Sequence, residues 1–189
     1  MQRFSRYAPL ELKAHPDPGP EDRSGPTLTL GSLFTMLVTV GGDDVPPEYV
    51  AACCGIDAAA WYLGQDLETI LNKLEDRDPE LPELIGRSIY FMFRTQLHEL
   101  GIKTATDFMA QLPTMWTFAT RGDSGTWRAT MKGVRHAIVE SRQPFNCQFE
   151  AGGLRGFIEA LDGYDVEITH STCVRNGAPF CTLDTRWQE

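Results

Sequence analysis

The C-terminal half of the chain contains the stretch CQFEAGGLRGFIEALDGYDVEITHSTCVRNGAPFCTLDTRW at residues 147–187. Apolar residues recur at helical spacing over 152–161, and then alternate with polar residues over 164–172 and 180–187. A period of about 3.6 residues is typical of a helix and a period of about two is typical of a strand. The Asn-Gly pair at 176–177 favours a tight turn. The stretch therefore predicts a helix followed by a two-stranded antiparallel hairpin.

Four side chains in this stretch can ligate a metal ion, with the spacing C-x22-H-x2-C-x7-C from Cys147 through His170 and Cys173 to Cys181. The predicted hairpin brings the last three together, and the first lies just before the helix that packs beside it. Three thiolates and one imidazole match a tetrahedral site with no open position for water. The sequence therefore predicts a structural Zn²⁺ ion as the cofactor. The alternatives are buried free cysteines and a disulfide between Cys173 and Cys181.

The same stretch resembles the 4-vinyl reductase domain, whose C-terminal pattern is a Cys, a helix containing Gly, a strand, and two Cys around a Gly-containing turn. The sensor modules of aromatic-responsive bacterial activators carry zinc on such a pattern. The resemblance implies the same four ligands, although the position of His170 is usually acidic in that family. It also implies an apolar or aromatic small-molecule ligand, a homodimer, and signalling through a protein partner.

The order of elements along the chain predicts the fold class α+β. Residues 1–25 are polar and rich in Pro and predict a tail, whereas residues 26–189 predict a single domain. Within that domain, residues 26–112 predict mainly helices. Residues 113–189 predict an antiparallel sheet with a packed helix and the cysteine-containing hairpin, an arrangement similar to the 4-vinyl reductase domain.

Six aromatic residues come from a long predicted helix at 84–100, from the segment after it, and from a predicted hairpin with strands at 115–120 and 126–132. They are Tyr90, Phe93, Phe108, Trp116, Phe118 and Trp127. One interpretation is an ordinary core, because aromatic side chains dominate core packing. The other is an apolar pocket that binds a small molecule, which the sensors of the 4-vinyl reductase family use.

The N-terminal half, with GSLFTMLVTV at 31–40 and VAACCGID at 50–57, resembles the opening of haem-nitric-oxide-binding domains and of a related myxobacterial family of unknown function. The haem-binding family requires a proximal His on the helix near residues 108–115. The segment FMAQLPTMW at 108–116 contains no His. The sequence therefore disfavours haem.

The overall composition excludes several function classes. The formal net charge of −9 argues against nucleic-acid binding, which needs a positive surface. No apolar run is long enough to cross a bilayer and no signal-peptide pattern is present, so we expect a cytoplasmic protein. The chain also lacks a nucleophile elbow, a phosphate-binding loop and a dinucleotide fingerprint.

Three function hypotheses follow. The first is a sensory, small-molecule-binding domain that acts through a protein partner. The second is a ligand-free structural or protein-interaction module with the same fold. The third is an enzyme of the pigment-reductase type, which is least favoured because no redox cofactor motif is visible. A domain this small favours a homodimer, and the apolar helix around Phe34 and Leu37 is the predicted contact.

Overall fold

The computed structural model describes residues 3–189, which form seven α-helices and seven β-strands. The helices are α1 Gly31–Gly41, α2 Pro47–Cys53, α3 Gly64–Arg77, α4 Leu81–Phe91, α5 Arg94–Glu99, α6 Ala105–Ala119 and α7 Cys147–Ala160. The strands are β1 Leu28–Leu30, β2 Trp61–Leu63, β3 Thr120–Arg121, β4 Thr126–Gly133, β5 His136–Arg142, β6 Tyr164–Thr172 and β7 Cys181–Gln188. Over this described range, none of the helices combines the length and the apolar character that a membrane span needs.

The strands form two antiparallel sheets among the described residues, which confirms a mixed α and β fold. The larger sheet has the order β4-β5-β7-β6, so the last strand of the chain lies between β5 and β6. The predicted C-terminal hairpin is present as β6 and β7. The smaller sheet has the order β2-β1-β3, and in it Leu28 lies opposite both Leu63 and Arg121. Because β3 pairs with β1, the predicted hairpin between β3 and β4 does not form.

The strand predicted at 115–120 is wrong, because α6 continues through most of this segment. The helix begins at a capping box, in which the Thr104 hydroxyl accepts from the Asp107 N–H at 3.1 Å and the Asp107 carboxylate accepts from the Thr104 N–H at 3.0 Å. Pro113 lies within the helix and is exposed. The apolar face continues past it to the half-buried Trp116, so core packing outweighs the hydrogen bond that a proline removes.

The helix predicted at 84–100 is two helices, α4 and α5, because the backbone turns at Met92 and Phe93. Phe93 has a φ of −79° and a ψ of 7°, which is outside the α-helical region. Its ring lies 6.3 Å from the ring of Phe157 on α7, measured between centroids. The break therefore lets Phe93 contact the same helix that α4 packs against.

Helices α4 and α7 approach each other closely because glycines occupy their contact. A Cβ at Gly86 would lie 2.2 Å from the Phe149 carbonyl oxygen, and a Cβ at Gly156 would lie 2.2 Å from the Arg87 carbonyl oxygen. A Cβ at Gly152 would lie 2.0 Å from another carbonyl oxygen of α4. A side chain at any of these positions would force the two backbones apart.

Two hydrophobic clusters make up most of the core. The N-terminal cluster surrounds the fully buried Phe34 and is built mainly from α1, α3 and α4. The C-terminal cluster includes Trp187 and lies between the larger sheet and helices α6 and α7. Trp116 and Phe157 are half-buried and contact both clusters. The junction of the two clusters therefore lies at α6 and α7.

Residues 3–25 belong to the segment that the sequence predicts as a tail, whose first two residues lie outside the described range. This part of the chain has no helix or ladder strand, and it runs along the surface of the domain. The ring of Phe4 packs edge-on against Phe145 at 5.3 Å, and the Leu12 N–H donates to the Asp66 carboxylate at 3.0 Å. The segment is therefore held against the domain, while the proposed domain boundary stays a prediction.

The predicted dimer contact is wrong, because Phe34 and Leu37 are completely buried inside the chain's own N-terminal cluster. A residue that contacts a second copy must be exposed in the single chain. The large apolar residues that are exposed lie elsewhere, and they include Leu84, Phe91, Met92, Leu100 and Phe118.

Replacing Gly156 by Ala should destabilise the protein by about 1–3 kcal/mol, because the added methyl group overlaps the Arg87 carbonyl. The better helix propensity of Ala recovers at most about 1 kcal/mol of that cost. The free energy of unfolding in urea measures the change. Gly55→Ala is the control, since a Cβ at Gly55 meets nothing within 4 Å. Equal stability of the two variants would contradict the close contact of α4 with α7.

Candidate functional site

An apolar cavity of about 90 Å³ lies where the two clusters meet, with walls from α1, α4, α6, α7 and β4. All six aromatic residues that the sequence singles out line it: Tyr90, Phe93, Phe108, Trp116, Phe118 and Trp127. Phe118 is 51% exposed and lies at the outer edge. The structure thus brings the six residues together, and their role in binding a ligand stays a prediction.

The rings around the cavity also pack against one another. Phe157 is central, with its ring centroid 4.6 Å from that of Phe108 and 4.8 Å from that of Tyr90. Trp116 lies 5.7 Å from Trp127. These separations lie within the range of attractive aromatic pairs, about 4.5–7 Å. The walls therefore hold each other in place, so the cavity is small but already formed.

Glu150 of α7 places a carboxyl group in this apolar lining, and the sequence analysis did not identify it. The residue is only 7% exposed, and among the described residues its carboxyl group has no hydrogen-bond or ion-pair partner. Burial, with smaller contributions from Glu68 and Cys181, raises the pKa of Glu150 to about 8. The sequence does contain a pattern that could have identified it. Glu150 lies four residues before Leu154 and seven before Phe157, which places it on the apolar face of the helix.

Glu68 of α3 is a second buried carboxyl group, but this one is paired. Its Oε1 accepts from Arg175 Nη2 at 2.9 Å and from Asn72 Nδ2 at 3.0 Å. Burial raises the pKa of Glu68 to about 7, against the lowering effect of Arg175. Arg175 also pairs with Glu75 at 3.2 Å. Because Arg175 follows Cys173 in the connection between β6 and β7, these bonds attach that connection to α3.

The four residues predicted as metal ligands lie together in the structure. One ligand atom from each of Cys147, His170, Cys173 and Cys181 lies within 4.8 Å of the others. The Sγ of Cys147 is 3.3 Å from that of Cys181 and 3.4 Å from that of Cys173. The Nε2 of His170 is buried and has no hydrogen-bond partner among the described residues. The cysteines are free, so the alternative disulfide between Cys173 and Cys181 is not formed.

The thiols of this cluster differ in their tendency to ionise. The hydrogen bond with Cys147 lowers the pKa of Cys181, whose Sγ also accepts from the Val174 N–H at 3.4 Å. The same contact, together with burial, raises the pKa of Cys147. Cys181 is therefore the thiol of this pair that ionises more readily. A thiolate is the form in which cysteine ligates metals.

No family model and no curated protein matches this chain. An H-NOX protein from S. oneidensis, in a crystal structure of its Fe(II)NO ligation state, is 16% identical with a TM-score of 0.68, over 85% of this chain and 99% of that chain. An Fe(II) unliganded H-NOX mutant from K. algicida is 12% identical with a TM-score of 0.62, over 85% and 97%. An oxygen-binding H-NOX domain related to soluble guanylate cyclases is 12% identical with a TM-score of 0.60, over 84% and 93%. At such identities the comparisons establish the fold alone, which is that of H-NOX domains.

These neighbours correct the family and the cofactor inferred from the sequence. The resemblance to the 4-vinyl reductase domain is wrong, because the structural neighbours are H-NOX domains. The pattern at 147–187 led to the wrong family because a helix followed by a hairpin is a local arrangement that does not define a whole fold. The structural Zn²⁺ cofactor is contradicted as well, since the neighbours are described as Fe(II) proteins and the cysteine cluster alone is weak support. The N-terminal resemblance to haem-nitric-oxide-binding domains agrees with the neighbours.

Haem, which this fold implies, does not fit the residues of this chain. Haem iron is usually held by His, Cys, Met or Tyr, and sites for large ligands measure about 300–1,000 Å³. The described lining contains no His and no Cys, although it does contain Met115, and the cavity measures about 90 Å³. Tyr90 lines the cavity, but its ring packs against those of Phe93, Phe149 and Phe157. The volume of the cavity and the lack of a His or Cys in its described lining do not match a haem site.

The metal-ligating role of the four clustered residues stays a prediction, and Co(II) is a coloured probe that tests it. The protein should bind about one Co(II) with thiolate-to-metal charge-transfer bands in its absorption spectrum, because four nitrogen and sulfur ligand atoms converge. Cys173→Ser should weaken the bands. Cys54→Ser should leave them unchanged, since Cys54 is exposed and outside the cluster. A spectrum without thiolate bands would show that the four side chains do not bind metal as a set.

Proposed function

We propose that this chain is a sensory domain that binds a small apolar molecule directly in its cavity, without haem, and passes the signal to a protein partner. The observation that carries the proposal is the apolar cavity at the junction of the two hydrophobic clusters. Pockets of this kind are the usual binding sites for small molecules. The H-NOX neighbours support the proposal, since two of them are described as NO and oxygen complexes.

The volume of the cavity limits the ligand. An apolar protein cavity of about 150 Å³ stays dry and holds benzene, which has six heavy atoms. The cavity here measures about 90 Å³. By proportion it suits a molecule of roughly four heavy atoms or fewer, without movement of the walls. We therefore infer a ligand the size of a diatomic gas or a short hydrocarbon.

A ligand in the cavity touches both parts of the fold at once. Leu33 of α1 belongs to the N-terminal cluster and Leu154 of α7 belongs to the C-terminal cluster. Between them, Trp116 packs edge-on against Phe145 at 5.8 Å, and its Nε1 donates to the Ser124 carbonyl at 3.2 Å. A shift of Trp116 would therefore change the loop between β3 and β4 and the core of the N-terminal part. This is a physical route from an occupied cavity to the protein surface.

The second candidate function is a protein-interaction module that needs no ligand. Phe91, Met92, Leu100 and Phe118 are each about half exposed, and exposed apolar side chains favour contact with another protein. A homodimer or a separate partner would cover them, and both assemblies stay proposals. The enzyme hypothesis depended on the 4-vinyl reductase resemblance, and it loses that basis.

Xenon, which enters dry apolar cavities, tests the proposed site. Dissolved xenon should raise the melting temperature of the protein and shift the xenon NMR signal. Ala119→Leu should remove both effects, because the added carbons project from a residue that lines the cavity. Ala110→Leu is the matched control on the same helix, where the side chain is exposed. If the wild type and Ala110→Leu respond no more than Ala119→Leu, the cavity does not bind apolar molecules.

A further inference from the structure

Glu150 is an unusual residue in the wall of the cavity. Among the described lining residues it is the only one of the types Asp, Glu, Lys, Arg and His. It lies on α7 in line with Gly153, Leu154 and Phe157, which face the same space. The carboxyl group therefore belongs to the cavity wall, in contrast to the paired carboxyl group of Glu68 on α3.

A buried carboxyl group without a partner is costly, because burial removes its water and returns no hydrogen bond. Most buried polar side chains in proteins have at least one hydrogen-bond partner. Glu150 is 7% exposed, and no hydrogen bond or ion pair of the described residues involves its carboxyl group, although its oxygens retain some accessible surface. A matching group on a ligand would offset the cost of this burial, whereas an apolar side chain would pack the core at this position without that cost.

The surroundings of Glu150 determine the charge of such a group. The charges that act on its carboxyl group come from Glu68 and Cys181, and both disfavour a further negative charge. The nearest positive side chain in the same network, Arg175, is already bound to Glu68 and Glu75. Because the pKa of Glu150 is about 8, its carboxyl group is largely protonated near neutral pH, and no free cation of the described residues lies beside it. A basic head group, which can take up this proton and pair with the carboxylate that remains, complements it, whereas a carboxylate or phosphate would be repelled.

We propose that the cavity recognises a short-chain primary amine, whose ammonium group pairs with the Glu150 carboxylate while its alkyl part fills the apolar space. This inference rests on the proposed function of the same cavity and names the class of its ligand. The size of the cavity restricts the amine to roughly four heavy atoms. The ion pair forms in an apolar site, where a charged hydrogen bond is stronger than in water.

Three compounds of equal shape test the inference: butane, 1-propanol and propylamine, which differ only in a terminal methyl, hydroxyl or amino group. Binding is measured by the change in tryptophan fluorescence, since Trp116 and Trp127 line the cavity. In the wild type, propylamine should bind at least about tenfold more tightly than butane, because a charged hydrogen bond contributes that much. Glu150→Gln should abolish the preference for the amine and leave the affinity for butane unchanged.

The controls separate this inference from the function it rests on. Glu159→Gln makes the same substitution on the same helix, at a side chain that pairs with Arg87 on the surface, and should keep the amine preference. Glu150→Leu should be at least as stable as the wild type, because it removes no hydrogen bond, and it should bind only butane. Loss of folding in both Glu150 variants would show that the carboxyl group has a structural partner and would overturn the inference.

The remaining outcomes are also decisive. Equal affinity of the wild type for all three compounds would overturn amine recognition and leave an apolar binding site intact. No binding of any compound, together with no response to xenon, would remove both the inference and the proposed function.

Discussion

The contact between α4 and α7 is the constraint on which the rest of the structure depends. Three glycines, at positions 86, 152 and 156, allow carbonyl oxygens of one helix to lie where the other helix would otherwise carry a Cβ. The separation of the two axes is therefore set by backbone atoms, which cannot adapt by changing rotamers. The position of α7 in turn fixes where its side chains lie, including Phe157 in the cavity wall and Cys147 in the first turn of the helix.

Helix α7 links the two sites of interest through its own rigidity. Cys147 and Glu150 are three residues apart, which is about 4.5 Å along a helix axis. The cysteine cluster also includes both ends of the connection between β6 and β7, and Arg175 in that connection holds Glu68 and Glu75 of α3. The cluster, the buried carboxyl groups and the cavity thus form one continuous region, in which a change at one place alters the electrostatics or packing of the next.

Local patterns in the sequence predicted much of this region. The features that were not predicted depend on contacts between residues far apart in the chain. The spacing of the cysteines and His170 identified a cluster that the structure brings together, and the aromatic residues predicted on the long helix, the segment after it and a hairpin all line one cavity. The end of α6 was missed because Pro113 is a strong local stop signal that packing overrides. Strand β1 is three residues long and pairs with partners about 30 and 90 positions away, so no local pattern reveals it. Glu150 escaped notice because a single acidic residue in a helix is usually solvated.

The fold and the ligand are separate properties of this chain. The backbone resembles that of H-NOX domains, one of them described in an Fe(II)NO state and another as an oxygen complex, yet the side chains where the two hydrophobic clusters meet form a small apolar cavity with neither a histidine nor a cysteine in its described lining. A fold restricts where a site can lie, whereas the residues that line the site determine its chemistry. Here the tryptophan and phenylalanine rings reduce the space to the size of a few-atom molecule, and Glu150 adds a carboxyl group to it. The proposed chemistry of this chain therefore rests on its own cavity wall, with direct contact between protein and ligand in place of coordination to a metal.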